Sequence, residues 1–142
     1  MTTNLHRGID DVLRDARARL DRLDPRDAYN AVRAGAVIVD IRPQLNRETE
    51  GEIPDALVVE RNVLEWRFDP SCDAHLPVAA YDLQVIVICN EGYTSSLAAV
   101  ALQELGVDRA TDVIGGYRAW QAAGLPTVTT ALRPNRTRRY PR

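Results

Sequence analysis

Cys89 is followed by Asn90, Glu91, Gly92, Tyr93 and Thr94, and it closes the apolar run Val85, Ile86, Val87, Ile88. A continuous β-branched run without polar alternation is the pattern of a strand buried on both faces of a parallel sheet. Gly92 supplies turn chemistry after the thiol. Ser95 or Ser96 can then cap a helix, on which Leu97, Val100, Ala101 and Glu104 recur at helical spacing. A thiol at such a junction meets backbone N–H groups and the positive end of a helix, surroundings that favour an anion. The thiolate is the nucleophilic form of cysteine, so the chemistry on offer is covalent attack by sulfur. Free cysteine is also a common core residue, which is the competing reading. The strand end and the glycine turn weigh against it.

Further charged residues fall at other strand ends. Ala36 to Ile41 reads as a first buried strand, with Asp40 and Arg42 at its carboxyl end; Ala56 to Val59 reads as a second, ending in Glu60 and Arg61. Thr111 to Ile114 gives a last strand, followed by a turn at Gly115 and Gly116 and a helix over 117–123. Short helices are expected over 44–50 and 62–66, with a loop over 69–77. Strands alternating with helices imply a parallel sheet with right-handed crossovers and helices on both faces. Ligands of such sheets bind beyond the carboxyl ends of the strands. Arg42, Arg61, the Cys89 loop and the Gly115–Gly116 turn are therefore expected around one crevice.

Upstream, Ile9, Val12, Leu13, Ala16, Leu20 and Leu23 mark an amphipathic helix over 7–23 that packs on the domain or receives a partner, a second copy included. Asp24 and Pro25 then begin a second helix that runs to about Ala34 and stops at Gly35. These boundaries divide the chain into an N-terminal helix over 1–24, a catalytic domain over 25–130, and a flexible tail over 131–142 that carries five arginines.

The chain has 142 residues, a formal net charge of −2 and 45% hydrophobic residues, which suits one globular domain and does not point to nucleic acid. All 18 basic residues are arginine. With Cys72, Cys89, His6 and His75 out of metal-ligand spacing, a structural zinc site is not expected. No apolar stretch approaches a membrane span and the N-terminus lacks a signal-peptide core, so the chain reads as cytoplasmic, where thiols stay reduced. A Cys72–Cys89 disulfide and a resolving role for Cys72 both stay open.

Three segments, VDIRPQLNRETEGEIPDA at 39–56, CNEGYTSSLAA at 89–99 and GGYRAWQAAGLP at 115–126, resemble in order the signatures of the single-domain rhodaneses, a sulfurtransferase family. The resemblance implies a three-layer α/β fold with a central, mostly parallel sheet of about five short strands, plus the extra N-terminal helix. It implies that Cys89 accepts a sulfane sulfur as a persulfide and passes it to a thiol, a cyanide-like acceptor or a protein, with no metal or organic cofactor. The donor would be a small sulfur compound or a protein persulfide. The amides from Asn90 to Thr94 (Asn90, Glu91, Gly92, Tyr93, Thr94) would line the substrate site, with Arg61 either orienting the donor or paired with Glu65 or a loop acid. Asp40 and Arg42 would hold the strand end and loops, and Trp66 and Trp120 would be core or pocket-wall aromatics.

Departures from the family pattern also matter. Glu52 stands where the family turn has histidine, and Asp55 where it has glycine. Glu91, inside the loop, is expected to repel a dianionic donor such as thiosulfate unless it points outward. Three rivals stand beside this reading. A docking module without turnover would not need the cysteine. A phosphatase would need an arginine at position 95, which is Ser95. A reductase would need Cys72 within disulfide reach of Cys89.

Overall fold

The structure, a computed structural model, describes residues 6–132. Residues 133–142 of the expected tail lie outside that range. The elements are α1 (Ile9–Ala18), α2 (Pro25–Arg33), β1 (Val37–Asp40), α3 (Gln44–Glu50), β2 (Leu57–Val58), α4 (Leu64–Phe68), β3 (Val85–Ile88), α5 (Thr94–Glu104), β4 (Thr111–Asp112) and α6 (Gly116–Ala122). Single 3-10 turns at Arg61–Val63 and Thr130–Leu132 complete it.

All pairings in the sheet are parallel, in the order β2-β1-β3-β4. The register sets Val37 beside Val85 and Asp40 beside Ile88, so the carboxyl ends of β1 and β3 lie level. From β1 the chain leaves to one side, to β2, and from β3 to the other, to β4. That reversal opens a crevice beyond their carboxyl ends. The sheet has four strands where about five were expected, because the fifth place is one residue long. Leu23 bridges Val113 beside β4, and Pro25 then starts α2. The same extension ends α1 at Ala18, short of the expected Leu23.

Residues alternate across the sheet. Val39, Val85, Val87 and Cys89 face Leu64 and Phe68 of α4 and Ala98, Ala99 and Leu102 of α5. Ile38, Ile86 and Ile88 face Ala28 of α2 and Tyr117 and Trp120 of α6. Helices therefore cover both faces, as expected, and parity places the Cys89 side chain on the α5 side. At the start of α2 the Asp24 carboxylate accepts from the Asp27 N–H at 2.8 Å, a cap of about 1 kcal/mol. Glu52 is buried beside Arg47 and pairs by backbone with Val128.

The helix read from the spacing of Leu97, Val100, Ala101 and Glu104 forms as α5, although the residues that carry the spacing are not the ones it buries. Its buried face is Ser95, Ser96, Ala98, Ala99 and Leu102, while Leu97, Val100 and Ala101 are half-buried and Glu104 is exposed. Small side chains let the helix sit close on β3. Nor do Ser95 and Ser96 cap the helix: it begins at Thr94, Tyr93 is its N-cap, and no side chain caps it. Both hydroxyls donate instead to Asp112 Oδ2, at 2.7 and 2.8 Å.

Candidate active site

Because no side chain caps α5, its first N–H groups remain directed at whatever lies beyond the helix, which is the Cys89 loop. Gly92 turns back with φ 87°, and its N–H reaches Cys89 Sγ at 3.2 Å. The carbonyls of Cys89 and Asn90 face the other way and accept from the Tyr117 and Arg118 N–H groups, at 2.8 and 3.1 Å. The loop thus turns the Gly92 N–H toward the sulfur and keeps these two carbonyls outward, the polarity an anionic sulfur needs. Two glycine turns lie against each other to achieve this. A Cβ on Gly116 would come within 2.5 Å of the Cys89 carbonyl oxygen, and one on Gly92 within 2.7 Å of the Gly115 nitrogen. Gly116 also has φ 64°, so only glycine meets both demands.

Side chains from α1, α3, α6 and the connecting segments brace the loop. Arg42, 3% exposed, holds both carboxylate oxygens of Asp40, donates to the Gly51 carbonyl at 2.7 Å, reaches Asn90 Oδ1 at 3.4 Å and lies over the Tyr117 ring. Desolvation of that buried ring pushes the Tyr117 hydroxyl above its usual range. Asn90 donates to Glu50 Oε2 at 3.0 Å, Arg118 donates to Glu50 Oε1 at 3.1 Å, and Arg118 also reaches Glu91 Oε2 at 3.3 Å. Hydrogen bonding from Arg118 is the largest influence on Glu50 and holds its carboxyl below the usual range. On the far side Arg17 and Arg22 both donate to the Gly92 carbonyl, at 2.8 and 3.1 Å. Arg22 also pairs with Asp112, whose carboxylate is fully buried.

Of the residues expected at the site, Cys89 is buried, Asn90 is half-buried, Gly92 is buried, and Glu91, Tyr93 and Thr94 are exposed. Arg61 lies elsewhere in the crevice. It donates to Glu65 at 2.8 Å and lines a cleft of about 770 Å³ with Ile41, Arg42, Glu60 and the exposed Trp66; Cys89 does not line that cleft. Trp120 is a core residue whose indole N–H donates to the Pro126 carbonyl. Both cysteines are free, and Cys72 Sγ accepts from the Ala74 N–H. Among the described residues no group of three or more His, Cys, Asp or Glu side chains is placed to hold a metal.

Sequence reasoning missed Glu50, Arg118, Arg17, Arg22 and Asp112. Arg118 sits inside the closing signature and was within reach. The pairing of Arg17 with Gly92, 75 residues apart, leaves no local mark.

Residues 24–123 match the model of the rhodanese-like domain. The chain belongs to the rhodanese-like family. A thiosulfate sulfurtransferase GlpE of Actinobacillus pleuropneumoniae serotype 3 (strain JL03) is 45% identical over 108 residues, 75% of this chain and 92% of that one. The GlpE of Actinobacillus succinogenes is 47% identical over 49 residues, which span 34% of this chain and only 44% of that relative. Among solved structures, a Rhodopseudomonas palustris CGA009 protein of unknown function, described as a possible tyrosine phosphatase, superposes with TM-score 0.79 at 32% identity. That match covers 90% of this chain and 99% of the other. In the rhodanese-like chain described here, position 95 carries a serine turned inward to Asp112, so the loop holds no arginine for a phosphate.

Proposed function

We propose that this chain is a rhodanese-type sulfurtransferase that works through a persulfide on Cys89. One observation carries the reading: Cys89 Sγ sits in a loop whose Gly92 N–H donates to it, below an N-terminus of α5 with no side-chain cap. The loop can hold charge on the attacking sulfur and on the outer sulfur after transfer.

With thiosulfate, the Cys89 thiolate attacks the outer sulfur, the new S–S bond forms, and the old S–S bond breaks with its electron pair leaving on sulfite. In the second step an acceptor thiolate or cyanide attacks the outer sulfur of the persulfide, takes it, and returns Cys89 as thiolate. With a persulfide donor the first leaving group is a thiolate. Neither half needs an oxidant or a metal. The cysteine is only 5% exposed, which favours the terminal sulfur of a slim donor or of a flexible side chain.

The role proposed for Asn90, Glu91, Gly92, Tyr93 and Thr94 is to supply backbone amides; Arg61, on the cleft wall, would guide a donor inward. Glu91 is exposed and faces Arg118, which offsets its charge. Thiosulfate, the donor named for the GlpE relatives, therefore stays with persulfides as a donor.

Intact-protein mass spectrometry after exposure to thiosulfate or to a low-molecular-weight persulfide tests the reading. One added sulfur on the wild type, absent from Cys89→Ser and removed by cyanide, is the expected outcome. If neither donor loads the protein, the docking reading takes its place.

A further inference from the structure

The family match begins at residue 24, yet two side chains from before that point hold the Cys89 loop. Arg17, on the last turn of α1, donates through Nη2 to the Gly92 carbonyl at 2.8 Å and through Nε to Ser96 Oγ at 3.3 Å, and its guanidinium lies 5.6 Å from the centre of the Tyr93 ring. Arg22 donates to the same carbonyl at 3.1 Å while its Nε holds Asp112 Oδ1 at 2.8 Å. Asp112 in turn accepts from Ser95 and Ser96 in the first turn of α5. One carbonyl of the catalytic loop thus receives two charged donors, both fixed to the head of α5.

The consequence follows from peptide geometry. The described chain has no cis peptide bond, and in a planar trans peptide the C=O and the next N–H point in opposite directions. Two guanidinium groups that draw the Gly92 carbonyl outward therefore turn the Tyr93 N–H inward, toward the side where the Gly92 N–H already meets Sγ. They also keep a carbonyl dipole from facing a sulfur that carries negative charge. Charge on the acceptor side of a peptide polarises it and strengthens its N–H as a donor.

We propose that Arg17 and Arg22, outside the family domain, are positioning residues for sulfur transfer: they fix the Gly92–Tyr93 peptide so that its amide serves the charge on Cys89 and on its outer sulfur. The segment that carries them then belongs to the active site's support and is more than an appended helix. This inference rests on the sulfurtransferase reading for its reaction, although the geometry of the loop stands apart from it.

Arg17 is the residue to test, since removing Arg22 would leave the buried carboxylate of Asp112 with its two serine donors but without this cation. In the full chain, Arg17→Met keeps an apolar stem over Tyr93 and removes the donors, and Arg17→Lys keeps one charged donor. Two rates are read: alkylation of Cys89 by iodoacetamide, which needs no sulfur donor, and single-turnover persulfide formation over a range of thiosulfate concentrations. Arg17→Met is expected to slow alkylation and the maximal loading rate each about tenfold, the size of one charge-assisted contact at an oxyanion-type site. The half-saturating thiosulfate concentration should stay within about twofold, Arg17→Lys should recover most of the loss, and the melting temperature should hold. Unchanged alkylation in a folded Arg17→Met protein overturns the proposal, and so does a loss that follows unfolding and is not recovered by lysine. If the wild type takes no sulfur but Arg17→Met still slows alkylation, the sulfurtransferase reading fails while the positioning role stands.

Discussion

Arg118 lies between two carboxylates, with Glu50 on α3 and Glu91 in the loop, and more than half of its side chain is exposed. Glu50 is the larger influence and Glu91 the smaller, and together they raise the Arg118 guanidinium above its already high value, so it is charged throughout the working range. Its removal uncovers two negative charges at the mouth of the loop. Arg118→Ala should raise the half-saturating concentration of dianionic thiosulfate about threefold at low salt, an effect sized to exposed pairs and lost as salt screens them. An uncharged alkyl persulfide should show no such change. Adding Glu91→Gln should restore part of the thiosulfate affinity, which steady-state kinetics at two ionic strengths would read; equal effects on both donors would contradict the charge argument. Deeper in, Asp112 carries the opposite kind of burden, since it is fully buried and accepts from Ser95, Ser96 and Arg22. Asp112→Ala removes the carboxylate partner of the Arg22 guanidinium, which keeps its bond to the Gly92 carbonyl, and the acceptor of two serine hydroxyls, and should cost about 3 kcal/mol in urea unfolding. Asp112→Asn, which can still accept, should cost less.

Among the elements, α6 matters through its first residue. Gly116 lies under the loop at a positive φ, and a methyl group there would meet the Cys89 carbonyl, the Gly92 nitrogen and the Asn90 carbonyl carbon within 2.8 Å. All three are backbone atoms that cannot swing away. Gly116→Ala should therefore cost at least about 2 kcal/mol from conformation alone and displace the loop. Thermal unfolding and Cys89 alkylation would show both losses; a stable, fully reactive variant would mean that the loop yields easily. The turn at Gly115 and Gly116 was legible in the sequence because glycine pairs punctuate, and β3 because a doubly buried strand must be apolar throughout. The start of α5 was not. Serines before an apolar run announce a cap, and nothing local reveals that Asp112, at the end of β4, draws both hydroxyls into the core. The crevice was legible only in outline: strand order brought Arg42 to Asn90 of the Cys89 loop, while of the two readings of Arg61 the structure shows its pair with Glu65 along the cleft wall. Which guanidinium reaches which carbonyl depends on packing between distant elements, and periodicity carries no record of it.

At the scale of the whole molecule, the Cys89 loop is held from three directions: α1 with Arg17, α6 beneath it, and α3 through Glu50. The third hold depends on pH. The folded Glu50 carboxyl sits below its ordinary value of 4.5, chiefly through its hydrogen bond with Arg118, so the folded chain binds fewer protons there than the unfolded chain. Such a group stabilises the fold fully above the unfolded value and loses that contribution as pH falls through the folded value. The window accordingly opens near pH 4.5 and extends downward. Asp11, held low by the Gly8 N–H and by Arg14, and Asp69, held low by Ser71, add acid losses of the same sign elsewhere. The difference between wild type and Glu50→Gln, rather than either curve alone, isolates the loop anchor. Glu50→Gln should melt about 3 °C below wild type at pH 7, and the gap should narrow as pH falls below 4.5 and the wild-type carboxyl takes up its proton. Calorimetry across that range reads it directly. A gap that does not narrow at all on acidification below pH 4.5 would show that glutamine fails Asn90 by geometry rather than by charge, and the α3 anchor would then be a matter of packing.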